Sequence, residues 1–333
     1  MKRKVALIGL GRIGWSLEKD PLRYHPCTHA GSLRSLHRMA DLVAICDTDP
    51  NRIQTFQKWW PGNRKTFLDF GKMMRELDRA NLDIDMAVVA TPQDVHTTQA
   101  VALLKRNLPD VLIEKPPGEN RQQALRIEKA WKGSPSRLWI NFERRHHPGY
   151  QKVQKLLDSK KLGKVRSVRG RVFSGASPIQ PGSGPLLHDA VHWLDLLFWF
   201  FGQPDSMKGI LRRDDKKLEQ SSHLLFQYSD FVATLETGAR SRYFEFEMEI
   251  DFERGRIHCG NQGFRLWKTA ASKRYSGFQE LKEVAFPFKA GQKNPWLPMY
   301  SRILKGNPEA YDEAWTWQGL KTLDFIDQAY RRL

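Results

Sequence analysis

The tightest constraint on what this chain can fold into is a glycine run set directly behind a short apolar strand. Val5-Ala6-Leu7-Ile8 reads as a compact buried strand, and Gly9-Leu10-Gly11-Arg12-Ile13-Gly14 follows without a gap. The spacing is G-x-G-x-x-G in its strand-to-helix context. Gly9 would make the tight turn and Gly11 would let the backbone approach a pyrophosphate. Gly14 would let the following helix pack close to the strand. A parallel, helix-flanked sheet is the architecture that uses such a turn.

The next segments keep that rhythm. Leu42 to Cys46 reads as a second strand ending in Asp47-Thr48-Asp49-Pro50. An acid at this strand end suits the ribose hydroxyls of an adenine dinucleotide and repels a 2′-phosphate, which favours NAD over NADP. Arg52 nearby keeps NADP open. The distance from Gly14 to Asp47 is clearly longer than the usual twenty or so residues. The surplus is Lys19 to Gly31, with Pro21, Pro26 and His25-Pro26-Cys27-Thr28-His29. It reads as an insertion that could overhang the cofactor, a structural loop rather than a metal site. Met86 to Ala90 forms another strand, followed by Thr91-Pro92-Gln93-Asp94-Val95-His96. Val111 to Ile113 forms the next and delivers Glu114-Lys115-Pro116, and Leu138 to Phe142 is the last. Ligands of doubly wound sheets bind at the strands' carboxyl ends, where Gly11, Asp47, Thr91 and Lys115 all fall.

The second half changes period. Phe244 to Phe252 alternates aromatic and aliphatic residues with acids, the signature of a sheet with one buried and one wet face. Val165 to Phe173, Arg256 to Cys259, Gly263 to Trp267 and Leu281 to Phe286 extend the pattern. Between them, the stretch Gly182 to Asp195 is expected to be one helix with His188, His192 and Asp195 on a single face, and Asp189 within reach of His192. Such a cluster suits general acid–base chemistry, a polar helix cap, or a two-histidine metal site. The expected division is 1–142 as a Rossmann domain, 143–306 as an α+β domain with a large, mainly antiparallel open-faced sheet, and 307–333 as a helix packing back on the first.

The charge balance bounds the partners. Lys plus Arg number 54 against 37 Asp plus Glu, a net +17, yet the basic residues are scattered with no polybasic tail. Charge alone would suit nucleic acid, an anionic membrane or an acidic small molecule; an anionic ligand such as a dinucleotide explains part of it. No nucleic acid and no membrane are expected as partners. Cys27, Cys46 and Cys259 are odd in number and far apart, so neither a disulfide framework nor a bound metal is expected. The apolar run at Val5 is too short for a signal peptide, and the expected location is the cytoplasm.

Taken in order, these motifs resemble the Gfo/Idh/MocA family of glucose–fructose oxidoreductases, inositol dehydrogenases and rhizopine-catabolism proteins. The matching residues are Gly9 to Gly14, Ala90-Thr91-Pro92 with His96, Glu114-Lys115-Pro116, the Phe142 to Pro148 junction, and His192 with Asp195. The resemblance implies an NAD(P)-dependent dehydrogenase or reductase acting on a CH–OH group of a sugar, cyclitol or sugar derivative. It implies cofactor contacts from Gly9, Gly11, Arg12, Ile13, Gly14, Asp47, Thr91, Pro92, His96 and Glu114, with Lys115 and His192 exchanging protons and stabilising charge on the reacting oxygen. It also implies a homodimer or homotetramer. The family usually carries an aspartate four residues before the histidine. Here that position is His188, with Asp189 displaced by one, so either could substitute. That departure leaves a second reading open, a catalytically silent dinucleotide-binding sensor or partner protein. Arg144, Arg145, Arg169 and Arg171 suit a substrate carboxylate or phosphate, or simply a solvated basic face; Trp193 and Trp199 read as core.

Overall fold

The computed structural model describes residues 1–288 and 294–333. Its contacts divide the chain into two compact units, Met1–His147 with Asn294–Lys321, and Pro148–Lys293 with Thr322–Leu333.

The first unit alternates strand and helix. β1 (Arg3–Ile8), α1 (His29–Ser35), β2 (Ala40–Cys46), α2 (Pro50–Trp59), β3 (Lys65–Phe67), α3 (Phe70–Asp78) and β4 (Met86–Val89) make its first half. α4 (Gln93–Leu104), β5 (Asp110–Ile113), α5 (Arg121–Lys132) and β6 (Arg137–Ile140) complete the sheet. The strand order is β3-β2-β1-β4-β5-β6, and every pairing is parallel. This is the doubly wound arrangement in which the strand order reverses beside β1. β4 and β5 are buried along their whole length, as parallel strands covered on both faces must be.

The helix behind the glycine turn is interrupted. Trp15 and Ser16 N–H bond the Gly11 carbonyl at 3.0 and 3.1 Å, and the chain then leaves the helix axis. It returns at α1, where His29 N–H bonds the Ile13 carbonyl at 3.1 Å and Ala30 N–H bonds that of Gly14 at 3.0 Å. The excursion is thus spliced into the helix, which accounts for the long interval between the glycines and Asp47. Its anchor is Glu18, whose carboxylate accepts from Cys27 N–H at 2.6 Å and from the Thr28 hydroxyl at 2.9 Å.

The second unit carries α6 (Pro148–Asp158), β7 (Val165–Phe173), α7 (Pro185–His188) and α8 (Val191–Phe201). Seven strands follow: β8 (Ser206–Arg213), β9 (Glu219–Gln227), β10 (Val232–Gly238), β11 (Glu245–Phe252), β12 (Gly255–Gly260), β13 (Gly263–Ala271) and β14 (Gln279–Val284). The sheet order is β14-β13-β12-β11-β7-β10-β9-β8, antiparallel except for the parallel β7–β10 pair. The alternation along β11 holds except at one position: Phe246, Met248 and Ile250 are buried and Glu249 stands half-buried opposite Arg169, but Glu247, opposite Arg171, is buried as well. Three strands, β8, β9 and β10, lie outside the segments read from sequence.

α9 (Trp296–Leu304) and α10 (Glu313–Arg332) close the chain. The return to the first unit starts at Asn294 rather than at 307, and the first unit extends to His147 rather than 142. The reason is burial: Trp296, Met299, Tyr300, Ile303 and Leu304 share one core with Val5, Leu7, Leu42 and Val88. Each such side chain contributes about 1.5–3 kcal/mol when removed from water. The last residues, Thr322–Leu333, belong to the second unit, where Tyr330 donates its hydroxyl proton to Glu219 at 2.6 Å.

Candidate active site

In the first unit the carboxyl ends of the strands are laced together by backbone bonds. Gly9 N–H donates to the Cys46 carbonyl at 2.8 Å and Ala90 N–H to that of Ile8 at 2.7 Å. Glu114 N–H reaches Val89 at 2.9 Å, and Asn141 N–H reaches Ile113 at 2.8 Å. Gly9, Ala90-Thr91, Glu114-Lys115 and Asn141 therefore stand side by side along one sheet edge.

Each glycine of the turn has its own steric reason. Gly9 sits at φ +95, and a Cβ there would lie 2.5 Å from the Ala90 carbonyl oxygen. At Gly14 a Cβ would run into the Gly9 carbonyl. Gly11 differs, because apart from its own chain neighbours no described atom lies within 4 Å of the position its Cβ would take. That open ground is the cradle a pyrophosphate needs. Arg12 is exposed beside it and Ile13 packs against the core.

Asp47, buried at the end of β2, accepts from Leu10 N–H at 2.7 Å and from Asp49 N–H at 2.9 Å. Arg52 lies 3.7 Å from Asp47 and 3.4 Å from Asp49. Its charge is thus met by two carboxylates. At the β4 end Thr91 donates to the Gln99 side chain at 2.7 Å. The His96 ring spans two carbonyls, that of Thr91 at 2.7 Å from Nε2 and that of Pro116 at 3.0 Å from Nδ1. Pro92 caps α4, and His96 ties that helix to the turn carrying Lys115.

Glu114 is only 5% exposed. Burial pushes its carboxyl upward, but hydrogen bonds from His29 and Asn141 and the charge of Lys115 leave it lowered overall. Lys115, partly exposed, follows on the same strand end. His29, Asn141 and Tyr300 were not singled out from sequence for this cluster. His29 falls in the segment expected to be a loop, and nothing local ties it to a carboxylate 85 positions away.

In the second unit the expected single helix over 182–195 is broken. α7 ends at His188, Asp189 and Ala190 form a turn, and α8 starts at Val191. Asp189 N–H and Ala190 N–H both bond the Pro185 carbonyl, at 3.0 and 2.8 Å, and His192 N–H bonds Asp189 at 3.3 Å. A widened step followed by a tight one replaces the regular ladder, so His188 and His192 do not stack as residues four apart on one helix. At the other end of α7 the Glu219 carboxylate accepts the Leu186 N–H at 3.1 Å and holds the start of the short helix. His192 and Asp195 do share α8, three residues apart and both buried.

α8 is seated by Trp193, fully buried, whose indole N–H donates to the Glu247 carbonyl at 3.2 Å. Its ring occupies the space a side chain at Gly170 of β7 would need. Trp193 is core, as expected.

The arginines fall in different places. Arg169 bonds Asp251 at 2.8 Å as well as Glu249, and Arg171 bonds Glu245 at 3.0 Å. Both serve a cross-strand ladder on the wet face of the sheet. Arg145 is buried in the first unit and donates to Gln318 at 3.2 Å.

Glu18, His25 and Cys27 bring possible metal-ligand atoms within 4.8 Å of one another. Those groups already serve the excursion: His25 Nδ1 lies 2.9 Å from Glu18, and burial followed by the Glu18 charge pushes the Cys27 thiol up to about 12. Cys27, Cys46 and Cys259 are buried, and none of them is in a disulfide. Among the described residues no helix is long and apolar enough to cross a membrane.

Known proteins give the same outline. A family model described as "Oxidoreductase family, NAD-binding Rossmann fold" matches residues 3–142, and the "GFO/IDH/MocA C-terminal domain" matches residues 150–258. Inositol 2-dehydrogenase of Salmonella typhimurium is 24% identical over 205 residues; the match covers 61% of this chain and spans only 56% of that relative. Inositol 2-dehydrogenase of Acidothermus cellulolyticus is 24% identical over 318 residues, 93% of this chain and 88% of the relative. Among solved structures, the WlbA dehydrogenase of Bordetella pertussis with NADH and UDP-GlcNAcA superposes at TM-score 0.74 and 21% identity, covering 99% and 96% of the chains. Levoglucosan dehydrogenase with NADH and levoglucosan superposes at 0.80 and 15% identity, covering 98% and 95%. At these identities the structural likeness concerns the fold.

Proposed function

The chain belongs to the GFO/IDH/MocA oxidoreductase family, and on that premise we propose that it is an NAD-dependent oxidoreductase. It moves a hydride between nicotinamide C4 and a secondary alcohol or carbonyl of a sugar, cyclitol or sugar derivative. The observation that carries the reading is the laced sheet edge, where the open ground at Gly11, the Asp47 carboxylate, Thr91 and Lys115 line up on consecutive strand ends.

The dinucleotide supplies the hydride acceptor. Asp47 reads the adenosine ribose as an acceptor, and its pairing with Arg52 supports NAD over NADP. Thr91, Pro92 and His96 hold the β4 and β5 turns at a fixed spacing for the nicotinamide half. Glu114 orients the backbone of Lys115. During oxidation the Lys115 ammonium hydrogen-bonds the substrate oxygen and stabilises charge as it builds there. His192 takes the hydroxyl proton as general base, with Asp195 orienting it, while the hydride leaves the carbinol carbon. His188 or Asp189 fills the role of the family's preceding aspartate. A cytoplasmic location and a homodimer or homotetramer belong to the same proposal.

One feature favours a second reading, a dinucleotide-binding sensor without turnover: the family's aspartate position is His188, and the backbone breaks immediately after it. Incubation with NAD+ and a panel of cyclitols, sugars and sugar acids separates the two. Formation of reduced nicotinamide supports the enzyme, binding of NADH with no turnover across the panel supports the sensor, and failure to bind either dinucleotide contradicts both.

A further inference from the structure

Among the described buried polar groups outside the motifs, His29 is one that reaches directly into them. It is 0% exposed, and both ring nitrogens are engaged: Nε2 lies 2.8 Å from Glu114 Oε1 and Nδ1 lies 2.6 Å from the Tyr300 hydroxyl oxygen. The ring is held edge-on between Trp296 and Tyr300, with centroids 5.1 and 5.9 Å away. On its other side the Glu114 carboxylate accepts the Asn141 side-chain amide and, through Oε2, the Lys115 backbone N–H at 3.2 Å.

We propose that His29 is a positioning residue: anchored by Tyr300, it holds the Glu114 carboxylate, and through it the backbone of Lys115, in the orientation the strand end requires. The inference rests on the proposed function for the use made of Lys115, but its geometry is independent of the substrate. It also gives the spliced excursion a purpose. The chain leaves the helix after the glycine turn and re-enters it with His29 as the first residue of α1, facing β5 from within the core.

The physical need is clear. A carboxylate in so dry a place would take up a proton unless donors met it. The ionisable groups facing it are His29 from α1, Lys115 on its own strand end, Tyr300 from α9 and Glu143 from the turn after β6; Asn141 adds a neutral donor. Glu143 repels the Glu114 charge and burial pushes its own carboxyl up, while burial holds the Tyr300 proton on. His29 is therefore the principal partner that keeps Glu114 ionised from the side away from Lys115.

The test follows the Glu114 carboxyl carbon by NMR in full-length protein labelled with carbon-13 at glutamate Cδ, with Glu114→Gln as assignment control. The titration midpoint is expected to rise by about one pH unit or more in His29→Ala, and by less in His29→Gln, which keeps one donor. An unmoved midpoint in folded His29→Ala overturns the proposal. If that variant does not fold, Tyr300→Phe removes only the hydroxyl anchor. A smaller rise is then expected, and no change overturns the proposal. NADH binding and turnover of the wild type are measured in parallel. A shifted midpoint in a protein that turns over no panel substrate keeps this inference and removes the enzyme reading, and turnover with an unshifted midpoint does the reverse.

Discussion

The carboxylate of Asp47 accepts the backbone N–H of Leu10 at 2.7 Å, across 37 positions of sequence. The same side chain thus fastens the glycine turn and is the one proposed to read the adenosine ribose. Asp47→Ala should leave the buried Leu10 N–H unpaired, at a cost of about 1–3 kcal/mol in stability. It should also release Arg52 from one of its two carboxylates and lower the preference for NAD over NADP by about tenfold or more. Asp47→Asn keeps an oxygen for Leu10 but none for the Asp49 N–H and removes the charge, so it should lose less stability than Asp47→Ala and lose preference. The ratio of kcat/KM for the two dinucleotides checks this; an unchanged ratio in both variants contradicts it.

Gly9 and Gly11 should fail differently. Gly9→Ala forces a side chain into a φ of +95 and against the Ala90 carbonyl, and should destabilise the protein by about 1–3 kcal/mol. At Gly11 an added Cβ meets nothing within 4 Å beyond its own chain neighbours, so Gly11→Val has open space to enter. Its unfolding free energy should stay within about 0.5 kcal/mol of wild type while NADH binding, read by fluorescence, weakens at least about tenfold. Normal NADH affinity in Gly11→Val would show that no pyrophosphate lies over the turn.

These contrasts explain what could be read from sequence. The first sheet was legible because each of its motifs is local: strand, turn and functional residue are contiguous at Gly9, Asp47, Thr91 and Lys115. Relations made by tertiary contact were not. The return of the excursion into the helix depends on His29 and Ala30 bonding residues that precede the loop. The seat of α7 on Glu219 joins positions 33 apart, and the break at Asp189–Ala190 has no glycine or proline to mark it in sequence. β3 has three residues, too few to register a period, and β9 buries Ser222 where an apolar residue would have marked the strand.

Gly170 is the seat of the Trp193 ring beneath α8. Gly170→Val should overpack that contact and cost about 1–3 kcal/mol or more. Trp193→Phe frees room at the same place, so the double variant should be less unstable than the two single changes together. A double-mutant cycle by denaturant unfolding measures the coupling, expected at about 0.5–3 kcal/mol. Strict additivity would contradict the packing described.

His146 gives stability a pH dependence. Burial, with Arg302 and Arg145 adding, pulls its imidazole down to about 3. Between about 6.5 and that value the unfolded chain binds a proton that the folded chain does not, so stability falls as the solution is acidified through this range. Above about 6.5 the contribution is constant. The slope from this group is about 1.4 kcal/mol per pH unit at most. His146→Gln should remove it, making the loss of stability between about pH 7 and pH 5 smaller than in wild type by up to about 2 kcal/mol. Equal losses in the two proteins would contradict the assignment.

The most direct test of the whole account is Lys115→Ala, assayed side by side for NADH binding and for reduction of NAD+ by whichever panel compound the wild type oxidises. The account predicts that binding stays within a few-fold while kcat falls about a hundredfold or more. Turnover close to that of the wild type in a protein lacking this ammonium would contradict it.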